Sequence, residues 1–444
     1  VLKTFKIGGV HPAENKLSAT NAIETLALPK SVFIPFGQHI GSPAEAVVKK
    51  GDKLKVGQLI AKSSGFVSAN IHSSVSGTVK KVDLGPDTSG YSKMGVYIDV
   101  EEDIWEEKID RSPELKTDIN LDSASILAKI QEAGIVGLGG ATFPTHVKLM
   151  PPKGMKADIL LINGVECEPY LTSDHRLMLE NSEELIVGIQ LLMKALNVNR
   201  AAIGIENNKP DAISEMIKLA YRHTNISVIP LKVKYPQGGE KQLIKAATGR
   251  EVSSGALPIS VGAVVTNIAT TFAVYEAVQK NKPLFERVVT VTGKTLKNPS
   301  NFKVRIGTPV SELIEAAGGL PEDCGKIING GPMMGKAVAN IEIPVTKGTS
   351  GILMMPEKES KRSETMPCIR CSRCVSVCPM GLEPYLLMTL SEKQIWENAE
   401  SEKIMDCIEC GSCSYTCPAS RPLLDYIRLG KGKVGALIRS RKSN

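Results

Sequence analysis

Aromatic side chains are scarce in this 444-residue chain, at 4%, which argues against a surface that reads nucleic acid by stacking bases. No run of 18 apolar residues is present to span a bilayer. The first residues, Val1-Leu-Lys-Thr-Phe-Lys, lack the pattern of a signal peptide. Any membrane role is therefore expected to be peripheral. Acidic residues are missing between Arg428 and Lys442, where six basic residues fall, so this stretch holds most of the net charge of +7. It reads as a solvated basic tail, with a docking patch for an acidic partner or anionic lipid as the alternative. The remaining composition, 42% hydrophobic and 23% charged, is ordinary for a protein that buries real cores. The length allows about three or four domains.

Cysteine is present in pattern. Eight of the ten cysteines fall in Cys368-x2-Cys371-x2-Cys374-x3-Cys378-Pro379 and Cys407-x2-Cys410-x2-Cys413-x3-Cys417-Pro418. This spacing is the one by which bacterial ferredoxins hold two 4Fe–4S clusters, with the fourth cysteine of each run ligating the other cluster. By that logic Cys368, Cys371, Cys374 and Cys417 hold the first cluster, and Cys407, Cys410, Cys413 and Cys378 hold the second. Structural zinc uses two thiolates per knuckle and does not need four in such a run. Thiols in cluster spacing also fit a reducing compartment. Cys167 and Cys324 stand outside the motifs and read as buried free thiols.

Along the chain, short strands with turn punctuation fill Ser31 to Val100, and Gly51-Asp52, Gly57-Gln58 and Ser76-Gly77 mark the turns. His39 and His72 there read as packing residues, because no cysteine or carboxylate cluster accompanies them. The acidic run Glu101 to Asp118 reads as a surface linker, anchored by Trp105. From Ser123 strands and helices alternate, which implies an α/β layered domain with a mostly parallel sheet. Ligands in such sheets sit beyond the carboxyl ends of the strands, and unusual loops fall there. Gly137, Gly139 and Gly140 can bring backbone N–H groups against a phosphate or a flavin edge, since no Cβ intervenes. Lys148 is placed to neutralise a phosphate, and Glu166, Glu206 and Glu240 to hydrogen-bond ribose or ribityl hydroxyls. A plain tight turn explains the glycines equally well, because neither Walker nor G-x-G-x-x-G spacing is present.

Gly139-Gly-Ala-Thr-Phe-Pro-Thr, Asn163-Gly-Val-Glu-Cys-Glu-Pro, Gly238-Gly239-Glu240 and Thr266-Asn267-Ile-Ala-Thr270 resemble, in the same order, the loops of the NADH- and FMN-binding subunit of respiratory complex I. That resemblance implies a non-covalent FMN to which NADH delivers hydride. The Gly137–Gly140 loop and Lys148 would face FMN and NADH. Asn163 and Glu166 would hold FMN, Glu240 would lie near the nicotinamide nucleotide, and Asn267 and Thr270 would form an FMN-binding turn. Val165 and Gly239 depart from that family, which has acidic residues at both places. Val288 to Gly319 resembles a soluble-ligand-binding β-grasp domain.

Gly8-Gly-Val-His-Pro12, Gln38-His-Ile-Gly41 and Ile71-His-Ser-Ser-Val-Ser-Gly77 extend the likeness over nearly the whole chain, which resembles the C subunit of Rnf ion-translocating ferredoxin:NAD oxidoreductases. The expected fold is multidomain α/β. A barrel-sandwich hybrid and linker fill 1–118, a Rossmann-like FMN/NADH domain 119–282, and a β-grasp domain 283–330. A connecting segment follows at 331–358, then a mainly helical double-cluster ferredoxin domain at 359–426 and a basic tail at 427–444. The family implies a peripheral subunit on the cytoplasmic face of the cell membrane, with no nucleic-acid partner. It would pass electrons between NAD(H), FMN, two 4Fe–4S clusters and membrane partner subunits, reaching ferredoxin indirectly. Two other families share parts of the pattern. A soluble cobalamin reductase of a bacterial microcompartment shares the flavin loops and clusters. The A subunit of the Na⁺-pumping quinone reductase shares the N-terminal barrel but not the clustered cysteines.

Overall fold

The computed structural model describes residues 2–88 and 90–443; Val1 and Asn444, the ends of the leader and tail readings, lie outside the described residues. Alternation of inward apolar and outward polar residues builds the N-terminal barrel. Strands Ser31–Pro35, Ser92–Val100, Gly77–Pro86 and Lys53–Leu54 form one antiparallel sheet, and Glu45–Ala46, Leu59–Lys62 and Ile71–His72 a second. Ile34, Ile60, Val96 and Ile98 are fully buried among these strands, and the core continues without a break into the next domain. His39 Nε2 stands 3.0 Å from the Ser42 carbonyl oxygen and 3.1 Å from the Ala69 nitrogen, donating to the first or accepting from the second according to tautomer, and burial lowers its imidazole to about 4. Burial pushes the His72 imidazole down to about 3, and nearby Lys347 adds to the effect, so both histidines pack as neutral rings. Trp105 anchors the acidic run edge-on against Phe285, at 5.2 Å between ring centroids.

The central sheet is parallel, in the order Ile226–Leu231, Ala201–Glu206, Ile159–Asn163, Ala263–Asn267. Its strands are apolar because helices such as Ser182–Leu196 and Ile268–Gln279 pack against it. Their carboxyl ends all face one edge, where Asn163, Glu206 and Asn267 are the last residues of their strands.

The β-grasp sheet is larger than the sequence suggests. Its six strands run Ile23–Thr25, Ser300–Arg305, Glu286–Thr292, Gly351–Pro356, Cys324–Asn329, Lys336–Val338. The stretch 331–358, expected to connect domains, thus supplies a central strand, in which Ile352, Leu353 and Met354 are buried. A short apolar run bounded by Gly351 and Pro356 is a buried-strand signal. The first strand comes from the N-terminal segment, far away in sequence.

Around the cysteines lie helices Arg373–Ser376, Pro384–Glu392, Trp396–Ser401 and Ser412–Thr416. The basic stretch is not a loose tail. It forms the helix Leu423–Ser443, which packs on Pro384–Glu392 and buries Leu423, Ile427 and Val434. Those residues recur at helical spacing, so the apolar face marks a helix although the surrounding charges resemble a solvated tail. Among the described residues no helix is long and apolar enough to cross a membrane.

Candidate flavin and iron–sulfur sites

Beyond the strands Ile159–Asn163 and Ala263–Asn267 most of the predicted flavin residues come together. The Leu138 N–H donates to Thr270 Oγ1 at 2.8 Å, seating the Gly137–Gly140 loop on the first turn of the Ile268–Gln279 helix. A Cβ on Gly139 would meet the Asn267 amide at 2.7 Å, whereas Gly140 faces open space. Glycine is therefore required at position 139 by contact, and at position 140 open space lies next to a helix N-terminus, where an anion is favoured. Behind the loop, the buried guanidinium of Arg287 donates to the Leu138 carbonyl at 3.3 Å, adding positive charge. Lys148 Nζ bonds Glu240 at 2.7 Å and the Val265 carbonyl at 2.9 Å. Asn163 Nδ2 donates to the Gly238 carbonyl at 2.8 Å, which fixes the Gly238–Glu240 loop against the adjacent strand end. A glycine-lined rim, a helix N-terminus and a half-exposed lysine fit a phosphate-bearing flavin.

Three predicted side chains are otherwise engaged. Glu166 accepts from the Asp174 and His175 N–H groups at 2.8 and 3.2 Å, capping the Ser173–Glu180 helix. Asn267 caps the Ile268–Gln279 helix and donates to half-buried Asp174 at 2.6 Å. Glu206 stands apart. It is 2% exposed, lies 3.9 Å from Lys209 and accepts the Lys234 N–H at 3.2 Å. It lines a different pocket with Lys16, Cys167 and Tyr235, and so does not join the flavin rim. Gly239 sits close over Gln242, leaving Glu240 as the acid of this loop, paired with Lys148.

Below, the two cysteine motifs repeat one backbone design. Arg370 and Ser372 in the first loop, and Glu409 and Gly411 in the second, all have positive φ, from 55° to 76°. Alternating handedness turns successive N–H groups inward and makes the concave nest that anionic iron–sulfur centres occupy. The helices Arg373–Ser376 and Ser412–Thr416 pack on each other, bringing each fourth cysteine towards the other motif. One pocket is lined by Cys378, Cys407, Cys410 and Cys413, the crossed set expected for the second cluster. Among the described residues no three His, Cys, Asp or Glu converge as around a single ion; a cubane spreads its thiolates over separate irons. Burial raises the Cys407 and Cys413 thiols to about 11 and 12, so a positive centre is needed to hold them as thiolates. Cys378, Cys410 and Cys413 are buried, whereas Cys368 and Cys371 are exposed.

The buried loop meets the flavin domain through residues that sequence reasoning passed over. Tyr235 Oη donates to the Cys410 carbonyl at 2.8 Å, and Gln242 Nε2 to the Pro379 carbonyl at 3.2 Å. Lys16, from the N-terminal segment, donates to the Glu166, Glu168 and Leu171 carbonyls at 2.7–2.9 Å. Only the pair Gly8-Gly9 hinted at this arm. Cys167 is no idle thiol either, since it accepts the Gly238 N–H at 3.3 Å.

Fold and site together define a flavin and iron–sulfur electron-transfer protein. Family matches fall in the order described: an RnfC barrel sandwich hybrid domain at 3–103, a Nuo51 FMN-binding domain at 130–276, an SLBB domain at 288–337 and a 4Fe-4S dicluster domain at 360–418. The chain is 49% identical over 98% of its length to the C subunit of the proton-translocating ferredoxin:NAD(+) oxidoreductase complex of Clostridium ljungdahlii, covering 94% of that protein. It is 44% identical to the C subunit of the Na(+)-translocating complex of Acetobacterium woodii, covering 99% of both chains. To the C subunit of the ion-translocating oxidoreductase complex of Rhodobacter capsulatus it is 45% identical, covering 98% of this chain and 84% of that one. The chain belongs to this family of C subunits of ion-translocating oxidoreductase complexes. It is an oxidoreductase subunit whose cofactors are FMN and two 4Fe–4S clusters, and its partners are other subunits of such a complex. The microcompartment reductase reading is not favoured. An NAD+-reducing [NiFe]-hydrogenase in the air-oxidised state shares the fold, with a TM-score of 0.50 and 17% identity over 70% of this chain and 66% of that one.

Proposed function

We propose that this chain exchanges electrons with NAD(H) at the flavin rim and relays them through the second cluster and then the first to a partner subunit. The direction is reversible, and ferredoxin is reached only through that partner. The observation that carries the order is the asymmetry of the cysteines. The set Cys378, Cys407, Cys410 and Cys413 lies against the flavin domain, while Cys368 and Cys371 open to solvent. Bound FMN supplies the conversion between a two-electron hydride and one-electron carriers. The protein's part is positional. Gly139, Gly140, Asn267 and Thr270 shape the phosphate end, Lys148 neutralises charge there, and Asn163 and Gly238 hold the edge of the rim. Glu240, oriented by Lys148, faces the incoming nucleotide. Glu166 and Asn267 act through the helices they cap. We place the chain on the cytoplasmic face of the membrane, as a subunit that meets its complex through the exposed first-cluster loop. We divide it so that the β-grasp domain runs to Pro356 and the cluster domain to the end of the last helix.

Anaerobic reconstitution with FMN, iron and sulfide, followed by NADH titration under absorbance and EPR, tests the reading. About one FMN per chain, bleached by NADH, with two interacting reduced clusters is the expected result. A flavin that NADH leaves oxidised would remove the NAD(H) step.

A further inference from the structure

Tyr235 is the point at which three parts of the molecule meet. Its backbone pairs with Val10 of the N-terminal segment through two bonds of 2.9 Å. Its ring is buried with Val10 and Cys410. Its hydroxyl donates to the Cys410 carbonyl at 2.8 Å and stands 3.5 Å from Glu168 Oε1. The N-terminal segment reaches the other cysteine motif as well. The Gly9 N–H donates to the Val377 carbonyl at 2.9 Å, and at Gly8, with φ +67°, a Cβ would stand 2.5 Å from the Cys378 carbonyl carbon. Cys378 and Cys410 come from different motifs and line the same cavity. Cys410 is thus fastened by its carbonyl to Tyr235 itself, and Val377, the neighbour of Cys378, to Gly9, the neighbour of Val10. Three residues beyond Tyr235, Gly238 receives the Asn163 amide and meets the Cys167 thiol. One short segment therefore touches the flavin rim at one end and a ligand loop of the second cluster at the other.

We propose that Tyr235 is a positioning residue for electron exchange between the flavin and the second cluster, acting through its hydrogen bond to the Cys410 carbonyl. The inference rests on the order of carriers proposed above. No bond is made or broken at Tyr235; the electron lost on the flavin side is the one gained by the second cluster. A constellation must be held to about 0.5 Å by its supporting residues, and displacement by about 1 Å commonly slows a reaction up to 10²-fold. Hydrogen bonds around a cluster also tune its potential.

Tyr235→Phe in the full reconstituted chain removes the one O–H and keeps the ring. Photoreduction of the flavin, which needs no NADH, starts the transfer, and freeze-quench EPR follows the second cluster. The expected result is unchanged FMN and iron content with transfer slowed roughly tenfold and a shifted potential for the second cluster alone. Gly8→Ala, which leaves Tyr235 whole and presses on Cys378 from the other side, is expected to slow the same step. Transfer within about twofold of the wild type at an unaltered potential overturns the proposal. So does loss of FMN or clusters in Tyr235→Phe, which would make the residue purely architectural. If NADH fails to bleach the wild-type flavin, the NAD(H) reading falls while the photoreduced arm still decides this one.

Discussion

Replacing Lys16 by methionine tests how the flavin rim is held. The ammonium donates to three carbonyls of one loop, those of Glu166, Glu168 and Leu171, at 2.8, 2.9 and 2.7 Å. That loop follows Asn163 and carries the Glu166 cap. A hydrogen bond from a charged group contributes about 1.5–3 kcal/mol. Lys16 is only half-buried, so about 1 kcal/mol per bond is the better figure after solvent screening, or about 3 kcal/mol for the three. Burial and the neighbouring Lys209 lower its ammonium to about 8, a cost that methionine would recover in part. A net loss near 2–3 kcal/mol corresponds to roughly a 30- to 150-fold change in the local opening equilibrium. Hydrogen exchange of residues 163–172 reads this directly, and faster FMN release should accompany it. Unchanged protection of that segment, with the substitution verified, would refute the reasoning, because among the described residues no other side chain ties those three carbonyls together.

The crossed ligation predicts that Cys378→Ser removes about half the iron and the EPR signal of the buried cluster while the exposed one survives; loss of the exposed one would reverse the assignment. Glu240→Gln should raise the KM for NADH roughly tenfold, a loss of about 1.4 kcal/mol, with FMN retained, because Lys148 keeps the Val265 carbonyl; complete flavin loss in an absorbance assay would show that Glu240 supports the flavin itself. Glu286 is buried, which alone would raise its carboxyl, but Lys282, Lys303 and Arg305 outweigh that and hold it down at about 2. With an unfolded value near 4.5, the unfolded chain binds the extra proton between those limits. The stabilisation is therefore complete above about pH 4.5 and lost as pH falls towards 2, a difference of about 3 kcal/mol. Glu286→Gln should flatten that acid limb in denaturant titrations, and an unaltered pH slope would count against it.

Chemistry whose signal is local can be read along the chain before it folds. Eight cysteines at fixed spacing point to two 4Fe–4S clusters, because a loop wrapping a cubane constrains neighbours only a few residues apart. Apolar alternation and helical periodicity likewise marked the barrel strands and the parallel sheet, since those periods are properties of the backbone. The last helix was legible too, in Leu423, Ile427 and Val434, though its charges suggested a tail. Which predicted side chains share a site is a different matter, and it is settled only by folding. Glu206 ends a strand just as Asn163 and Asn267 do, yet it falls on the far side of its neighbours, because the order of strands in a sheet is set by crossover packing and leaves no local trace. Lys16 and Tyr235 carry no motif at all, and Gly8 only its place in the stretch Gly8–Pro12. Their roles arise from contacts between segments a hundred or more residues apart, where a lone lysine, tyrosine or glycine looks like any other until the chain has closed around it.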